Sequence, residues 1–232
     1  MRFAAVAFDL WGTLVPPFPK KEHVAALSTC ADELGVALPE LQRLWSEAGP
    51  RRFRGAFGTV AEHFGWVLEQ LGCPATDARL RAAERTYLRF TLDGLQAAPG
   101  ALDTLAWLRD LGLRLAVVSN CASDVPQVWS LTPFASFFDA CAFSSEVGVV
   151  KPDARIYQHA LTALGVPAER TMYVGDGSSG ELSGAARCGM SPVLISVDLS
   201  NTYDPDRHDV NTWRGRTIGA LPQLATLIGA TP

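Results

Sequence analysis

The feature that most constrains this chain is its first apolar run and the acid that ends it. Phe3-Ala4-Ala5-Val6-Ala7-Phe8 is followed by Asp9, then by Leu10-Trp11-Gly12-Thr13-Leu14. The run is too short for a helix standing alone and suits a strand covered on both faces, as in a parallel sheet. Open α/β sheets bind their ligands at the carboxyl ends of the strands. Asp9 therefore stands where chemistry is done, with Gly12 available for the turn that follows. A solitary acid at a strand end more simply caps a turn, and the rest of the chain decides between the two.

Beyond residue 96, strand and helix signals alternate. Pro99-Gly100 opens a helix carrying Leu102, Leu105 and Leu108, and Gly112 stops it. Residues 113–118 read as a second strand, ending at Ser119-Asn120. A helix over 125–131 and a short strand over 140–143 follow. Lys151-Pro152-Asp153 leads into a helix with Ile156, Ala160, Leu161 and Leu164, closed by Gly165. Residues 171–174 form another strand, ending at Gly175-Asp176, and a helix through Leu182 and Ala186 runs to Gly189. Residues 192–196 are the last strand the pattern supports. This alternation predicts an α/β fold: a Rossmann-like parallel sheet with right-handed crossovers and helices on both faces. Residues 201–216 are polar and read as a surface excursion before a final helix over 221–228.

Between the first strand and residue 96 the period is helical throughout. Val15-Pro16-Pro17-Phe18-Pro19 is a stiff exit from the first motif. Val24, Leu27, Ala31 and Leu34 then recur at helical spacing up to Gly35. Pro39 opens a second helix through Leu41, Leu44 and Trp45, expected to end near Gly49-Pro50; further helices are predicted over 59–71 and 77–92. The expected organisation is an α/β core of residues 1–14 and 96–232 and an all-helical cap of residues 15–95.

Composition removes several classes of function. The chain has 232 residues, 48% of them hydrophobic, and a formal charge of −4 with no long basic run. That allows a substantial core and argues against a nucleic-acid or membrane surface. Cys30, Cys73, Cys121, Cys141 and Cys188 are odd in number and unclustered. They read as reduced core thiols of a cytoplasmic protein. The N-terminal stretch reaches an acid at position 9 and is not read as a signal peptide. No apolar run approaches membrane-spanning length.

The functional signal lies at the strand ends. Asp9, Ser119 and Asp176 each follow an apolar strand, Asn120 is next to Ser119, and Lys151 follows a loop. Parallel strands bring these ends to one edge of the sheet. Two acids, a hydroxyl, an amide and a cation around one crevice suit a metal ion and an anionic group sharing a site: a carboxylate can attack, both acids can hold Mg²⁺, and Lys and Ser can bind anionic oxygens.

Four motifs in order, Phe8-Asp9-Leu10-Trp11-Gly12-Thr13-Leu14, Val118-Ser119-Asn120, Val149-Val150-Lys151-Pro152-Asp153 and Val174-Gly175-Asp176-Gly177, make the chain resemble the haloacid dehalogenase superfamily of hydrolases over essentially its whole length. The resemblance implies that Asp9 is a nucleophile forming a covalent aspartyl intermediate that water hydrolyses. It implies Mg²⁺ held by Asp9, the backbone carbonyl of Trp11 and Asp176, with Ser119 and Lys151 on the phosphoryl group. Lys151 would also offset the charge of two neighbouring carboxylates. Thr13 would brace the first loop by a hydrogen bond, and the cap would close over a small anionic substrate. The family includes both monomers and homodimers.

Two departures from the family's pattern pull in opposite directions. Its phosphatases carry a second Asp two residues after the first, as general acid; here Trp11 stands there, and losing a general acid typically costs about 10²- to 10⁴-fold. Its metal-independent dehalogenases carry an aromatic residue there, and Lys151 with Tyr157 is compatible with that branch. Against this, the chain keeps Gly175-Asp176, which dehalogenases typically replace. It also has Glu181 five residues on, able to support a metal through water from a loop one residue longer than usual. Adjacent strand-end acids have little reason to exist without a cation. Asp176 therefore outweighs Trp11, and the reading is a Mg²⁺-dependent phosphatase of a small phosphorylated metabolite. The alternatives are a 2-haloacid dehalogenase and a non-catalytic binding module.

Trp11 either packs under the cap or walls a substrate pocket. Without a general acid the enzyme would suit esters with good leaving groups, such as acyl or aryl phosphates. Arg51, Arg52 and Arg54 read as a solvated charge run rather than an anion-reading patch. Asn120 would orient Asp9 or donate to the anion. Ser178 and Ser179 would bond within the fourth loop or simply turn the chain. His23, His63, His159 and His208 show no metal spacing.

Overall fold

The computed structural model describes residues 2–205 and 207–229. β1 (Ala5–Phe8) is followed by the helices α1 (Lys20–Leu34), α2 (Leu38–Glu47), α3 (Gly49–Arg52), α4 (Val60–Gln70) and α5 (Asp77–Gly94). Then come α6 (Ala101–Asp110), β2 (Arg114–Ser119), α7 (Asp124–Val128), β3 (Ala140–Phe143), α8 (Ser144–Val147) and α9 (Ala154–Leu164). The chain continues through β4 (Thr171–Gly175), α10 (Glu181–Arg187), β5 (Ser191–Ile195), α11 (His208–Thr212), β6 (Arg216–Ile218) and α12 (Leu224–Ile228). The sheet has the order β3-β2-β1-β4-β5-β6, and every paired strand is parallel. This is a Rossmann-like doubly wound sheet, with β1 and β4 adjacent at its centre.

The alternation along β1 explains its two layers. Val6 and Phe8 enter one apolar cluster with Leu105 and Leu108 of α6 and Leu224 of α12. Ala5 and Ala7 face the other side, where Tyr157 and Leu161 of α9 and Leu182 of α10 pack. Two alanines there leave room for the buried rings of Tyr157 and Tyr173, whose centroids are 5.6 Å apart. Fully burying Val6 or Phe8 contributes about 1.5–3 kcal/mol each.

The helices α1, α2, α4 and α5 have a core of their own, in which Leu27, Leu34, Leu41, Trp45, Phe64 and Tyr87 are buried together. Gly35 ends α1 in the left-handed conformation, with φ 70°. α2 ends at Glu47, beside Gly49-Pro50 as expected, and Gly49-Pro50 then opens an extra turn, α3, because proline is well placed at the start of a helix.

Three further expectations are corrected. A sixth strand, β6, pairs with β5 beyond the last one the pattern supported. It is only three residues long and half exposed, too short to show a period. Residues 201–216 are also not simply a surface excursion. Arg207 and Asp209 are buried, and Asn201 receives the backbone N–H of Lys21 and donates to Glu22 on α1. All five cysteines are free; Cys30 and Cys121 are buried, whereas Cys73, Cys141 and Cys188 are only half-buried, not core thiols. No helix among the described residues is long and apolar enough to cross a membrane.

Candidate active site

The strand register brings the acids together. Asp9 follows β1 and its N–H still donates to Val174 O of β4 at 2.9 Å, so the ladder carries on to the residue that turns into the crevice. Asp176 follows β4 on the neighbouring strand. Gly12 has φ 79°, and a Cβ there would run into the Asp176 carboxylate. The first loop thus needs glycine both for its turn and for the close approach of the second acid. That loop closes through backbone bonds, from Leu14 N to Leu10 O at 2.9 Å and from Gly12 N to Val15 O at 2.9 Å.

Lys151 joins the next pair. Its Nζ donates to Asp9 Oδ1 at 2.5 Å and to Glu181 Oε2 at 2.6 Å, with the Tyr173 hydroxyl at 3.4 Å. Tyr173 itself donates to Glu181 Oε2 at 2.7 Å, and Gly177 N–H donates to Glu181 Oε1 at 2.9 Å. Both carboxylate oxygens of Glu181 are therefore held. Asp176 accepts from Ser178 N–H at 3.1 Å and is ion-paired with Arg207, which also donates to its carbonyl oxygen. One ligand oxygen each of Asp9, Asp176 and Glu181 lie within 4.8 Å of one another, and all three residues are buried.

Burial pushes the carboxyl of Asp9 above its ordinary range, Lys151 draws it back, and Asp176 pushes it further up. Burial and the charge of Asp9 push Glu181 up to about 8, against the pull of Lys151. Burial disfavours the Lys151 ammonium, but the facing carboxylates of Asp9 and Glu181 outweigh it, so its pKa is raised and it stays charged. Three carboxyl groups thus share two cations, Lys151 and Arg207, one acid more than the cations offset.

A cavity of about 940 Å³ opens beside these groups and brings together Asp9, Trp11, Ser119, Asn120 and Lys151. Ser119 Oγ is buried without a hydrogen bond of ordinary geometry; its neighbour is the Cys121 thiol, a weak partner. Asn120 borders the cavity, but its amide is turned to Lys151: Oδ1 accepts the Lys151 N–H at 2.8 Å and Nδ2 approaches the Lys151 carbonyl at 3.5 Å. It positions Lys151 rather than orienting Asp9 directly. Thr13 does not reach the cavity, and its buried Oγ1 has no partner among the described residues. The backbone already closes the loop, so the expected bracing hydrogen bond is absent.

Trp11 combines both roles considered for it. Its ring packs edge-on against Phe18, centroids 5.0 Å apart, and also lines the cavity. A Cβ on Gly94 of α5 would come within 2.9 Å of the indole, so the missing side chain seats the ring. Tyr157 lies outside the cavity; its hydroxyl donates to the backbone oxygen of Glu181 at 2.9 Å. Ser178 binds Asp176 only through its N–H, and Ser179 adopts φ 55°.

Three features escaped sequence reasoning. Arg207 lies in a polar stretch and carries no motif. His23 lines the cavity with its Nδ1 2.8 Å from the Tyr203 hydroxyl and its Nε2 3.2 Å from that of Tyr87. Of the three arginines, Arg51 and Arg54 are exposed as expected, although Arg51 lies over Trp66 at 4.7 Å, whereas Arg52 is half-buried and lies over the Trp45 ring at 4.4 Å. The signal that could have found them is the number of aromatic residues near them, Trp45, Phe53, Phe57 and Trp66. The side chain of His208 lies outside the described residues.

A sequence model of haloacid dehalogenase-like hydrolases matches residues 3–189. The chain belongs to this family. Among its relatives, a glyceraldehyde 3-phosphate phosphatase of Methanopyrus kandleri is 30% identical over 88% of this chain and 89% of its own length. An (S)-2-haloacid dehalogenase 4A of Burkholderia cepacia is 28% identical, over 90% of each chain. In fold, the haloacid dehalogenase-like hydrolase resembles the crystal structure of a HAD phosphatase from Thermococcus onnurineus, with a TM-score of 0.64 and 23% identity over 98% of this chain and 99% of the other. Both chemistries are thus represented among its relatives at similar distance.

Proposed function

We propose that this hydrolase is a Mg²⁺-dependent phosphatase of small phosphorylated molecules, with Asp9 as its nucleophile. The observation that carries the reading is the buried carboxylate triplet of Asp9, Asp176 and Glu181, which outnumbers its cations. Buried carboxylates repel and are costly unless compensated. An all-oxygen set with one more acid than it has cations suits a hard divalent cation, so these residues fit Mg²⁺. Asp9, Asp176 and the Trp11 carbonyl would hold the ion, and Glu181, already bound to Lys151 and Tyr173, would support it through water. When bound, Mg²⁺ would neutralise charge building up on the phosphoryl oxygens.

The chain's own groups supply the rest. An oxygen of Asp9 attacks phosphorus and the ester oxygen leaves with the bonding electrons; water then hydrolyses the aspartyl phosphate, regenerating Asp9 and releasing phosphate. Lys151 keeps Asp9 ionised and aims it, and the open hydroxyl of Ser119 offers a donor to a phosphoryl oxygen. Asn120 fixes the backbone of Lys151. The helices of residues 15–95 act as the cap that excludes water.

The test is hydrolysis of p-nitrophenyl phosphate with and without Mg²⁺, beside Asp176→Ala. Turnover that needs Mg²⁺ and falls at least about 10²-fold in the variant is expected. Halide release from 2-chloropropionate in EDTA, without phosphate release, would replace the reading with a dehalogenase, as the aromatic residue at position 11 allows.

A further inference from the structure

The cavity beside Asp9 is far roomier than a three-carbon phosphate needs. Its 940 Å³ lies near the top of the range of about 300–1,000 Å³ typical of drug-sized ligands. Its wall away from the acids is a continuous set of rings. Trp11 meets Phe18 at 5.0 Å, Phe18 meets His23 at 5.1 Å and Tyr203 at 6.3 Å, and Trp45 meets Tyr87 at 4.7 Å. All six line the cavity. Burial, with Arg52 nearby, holds His23 down at about 4, so these rings are uncharged at neutral pH.

No acid stands beside Asp9 for the leaving group: of the other carboxyls on the cavity, Asp204 is ion-paired with Arg207 at 3.7 Å. Trp11 stands two residues after Asp9 and its indole cannot deliver a proton to an alkoxide. Asp124, another carboxyl on the cavity, accepts from the Thr91 hydroxyl at 2.8 Å and its oxygens are drawn to the backbone at the start of α7. It is thus occupied in joining α5 to α7. On the wall, Arg52 interacts with the Tyr87 hydroxyl and feels the charge of Asp124, but it forms no close ion pair among the described residues and its buried Nε has no acceptor. A donor in that state is completed by an anionic oxygen.

We propose, resting on the phosphatase reading, that the substrate is an aryl phosphate: a phosphomonoester of a phenol whose ring lies against the Trp11–Phe18 wall and whose ring substituent carries a second anionic group read by Arg52. Attack by Asp9 forms the Asp9–phosphorus bond and breaks the bond from phosphorus to the aryl oxygen. The electron pair leaves on that oxygen, and the phenolate departs without a proton from the protein. The ring delocalises its charge, which is why this chain can dispense with the acid its relatives' pattern supplies. Arg52 acts on binding alone.

The experiment compares phenyl, benzyl, 4-carboxyphenyl and glycerol phosphates on the intact enzyme with Mg²⁺, with binding measured by calorimetry on Asp9→Asn. Benzyl phosphate separates the two halves of the idea, since it has the ring but an alkyl leaving group. Phenyl and benzyl phosphates should bind alike and at least about tenfold more tightly than glycerol phosphate. Phenyl phosphate should exceed benzyl by about 10²-fold or more in kcat, and Trp11→Asp should narrow that gap by at least about tenfold. Arg52→Met should raise KM for the carboxylated ester by about tenfold more than for phenyl phosphate. Equal binding and turnover of glycerol and phenyl phosphates overturns the aryl assignment and leaves the phosphatase intact. An equal effect of Arg52→Met on both aryl esters overturns the second anionic group. If none of the esters releases phosphate, the phosphatase reading falls and the proposal falls with it.

Discussion

The two sides of the cavity are built from different forces. On the sheet side Asp9, Lys151, Glu181, Asp176 and Arg207 are held by charge: each opposes another at hydrogen-bond distance, and almost no oxygen is free to move. On the aromatic side Trp11, Phe18, His23, Trp45 and Tyr87 are held by shape, ring against ring, with a few hydroxyl contacts among them. The first side should tolerate a change of volume and fail on a change of charge. The second should do the reverse. Chemistry that develops charge belongs on the first, and recognition of an apolar group on the second.

The largest effect should come from taking one charge out of the sheet side. Lys151→Met keeps the unbranched stem and removes the ammonium. Loss of one partner from a buried ion pair costs about 3–5 kcal/mol, and here two carboxylates lose theirs. Urea unfolding should show a loss of that size at about pH 8, shrinking toward about pH 5 as Asp9 and Glu181 take up protons instead. Phosphate release should fall with it. A loss below about 1 kcal/mol at both pH values would mean that charge balance does not hold this side together.

The difference between the sides also governs what the sequence disclosed. Asp9, Ser119, Lys151 and Asp176 were legible because each ends an apolar strand or follows a loop beside one, and a parallel sheet can only gather such ends at one edge. Glu181 was legible as an acid of about the right reach. Its actual route was not, since the loop winds through left-handed Gly177, Ser179 and Gly180, and a left-handed serine leaves no mark in a pattern of hydropathy. The aromatic wall was invisible for a different reason: its rings come from α1, α2, α5, the loop before α1 and, for Tyr203, the loop after β5, at spacings that read simply as helix cores or loop. Arg207 and β6 lie where the chain is polar and the elements are too short to carry a period. Thr13 was misjudged because a hydroxyl in a tight loop suggests a bond that the backbone had already made.

An intermediate effect is expected at His23, and it is a pH effect. Its ordinary value of 6.5 falls to about 4 in the folded protein, through burial first and the nearby Arg52 second. The unfolded chain therefore binds the proton that the folded one refuses. The stability His23 allows is present in full above pH 6.5 and is lost as pH falls toward 4. Over that interval the loss is roughly 3 kcal/mol. Glu181, raised in the fold, works in the opposite direction over a higher interval, so the informative quantity is the difference between the wild type and His23→Gln. Thermal midpoints of the two should converge as the pH drops from about 7 to about 4. A constant difference would show that Tyr203 and Tyr87 hold His23 by polarity rather than by shape.

The smallest effect is the sharpest test of the aromatic side. Gly94 is the last residue of α5, and a Cβ there would approach the Trp11 ring to 2.9 Å. In Gly94→Ala two effects oppose each other. Alanine removes a helix penalty of up to about 1 kcal/mol, while the indole must give way by a few tenths of an ångström in a packed wall, a cost of similar size. Stability should therefore change by less than about 1 kcal/mol. The ring, however, packs against Phe18 at 5.0 Å and lines the cavity, so a shift of the indole reshapes the aromatic wall. KM for phenyl phosphate should then rise several-fold while KM for glycerol phosphate, which does not touch the ring, stays where it is. The wall would be broken by shape alone, with no charge altered on the side that carries Asp9. If both esters lose affinity equally, Trp11 is acting on the first loop and on Asp9 rather than on the substrate's ring, and the division between the two sides is less clean than their contacts suggest.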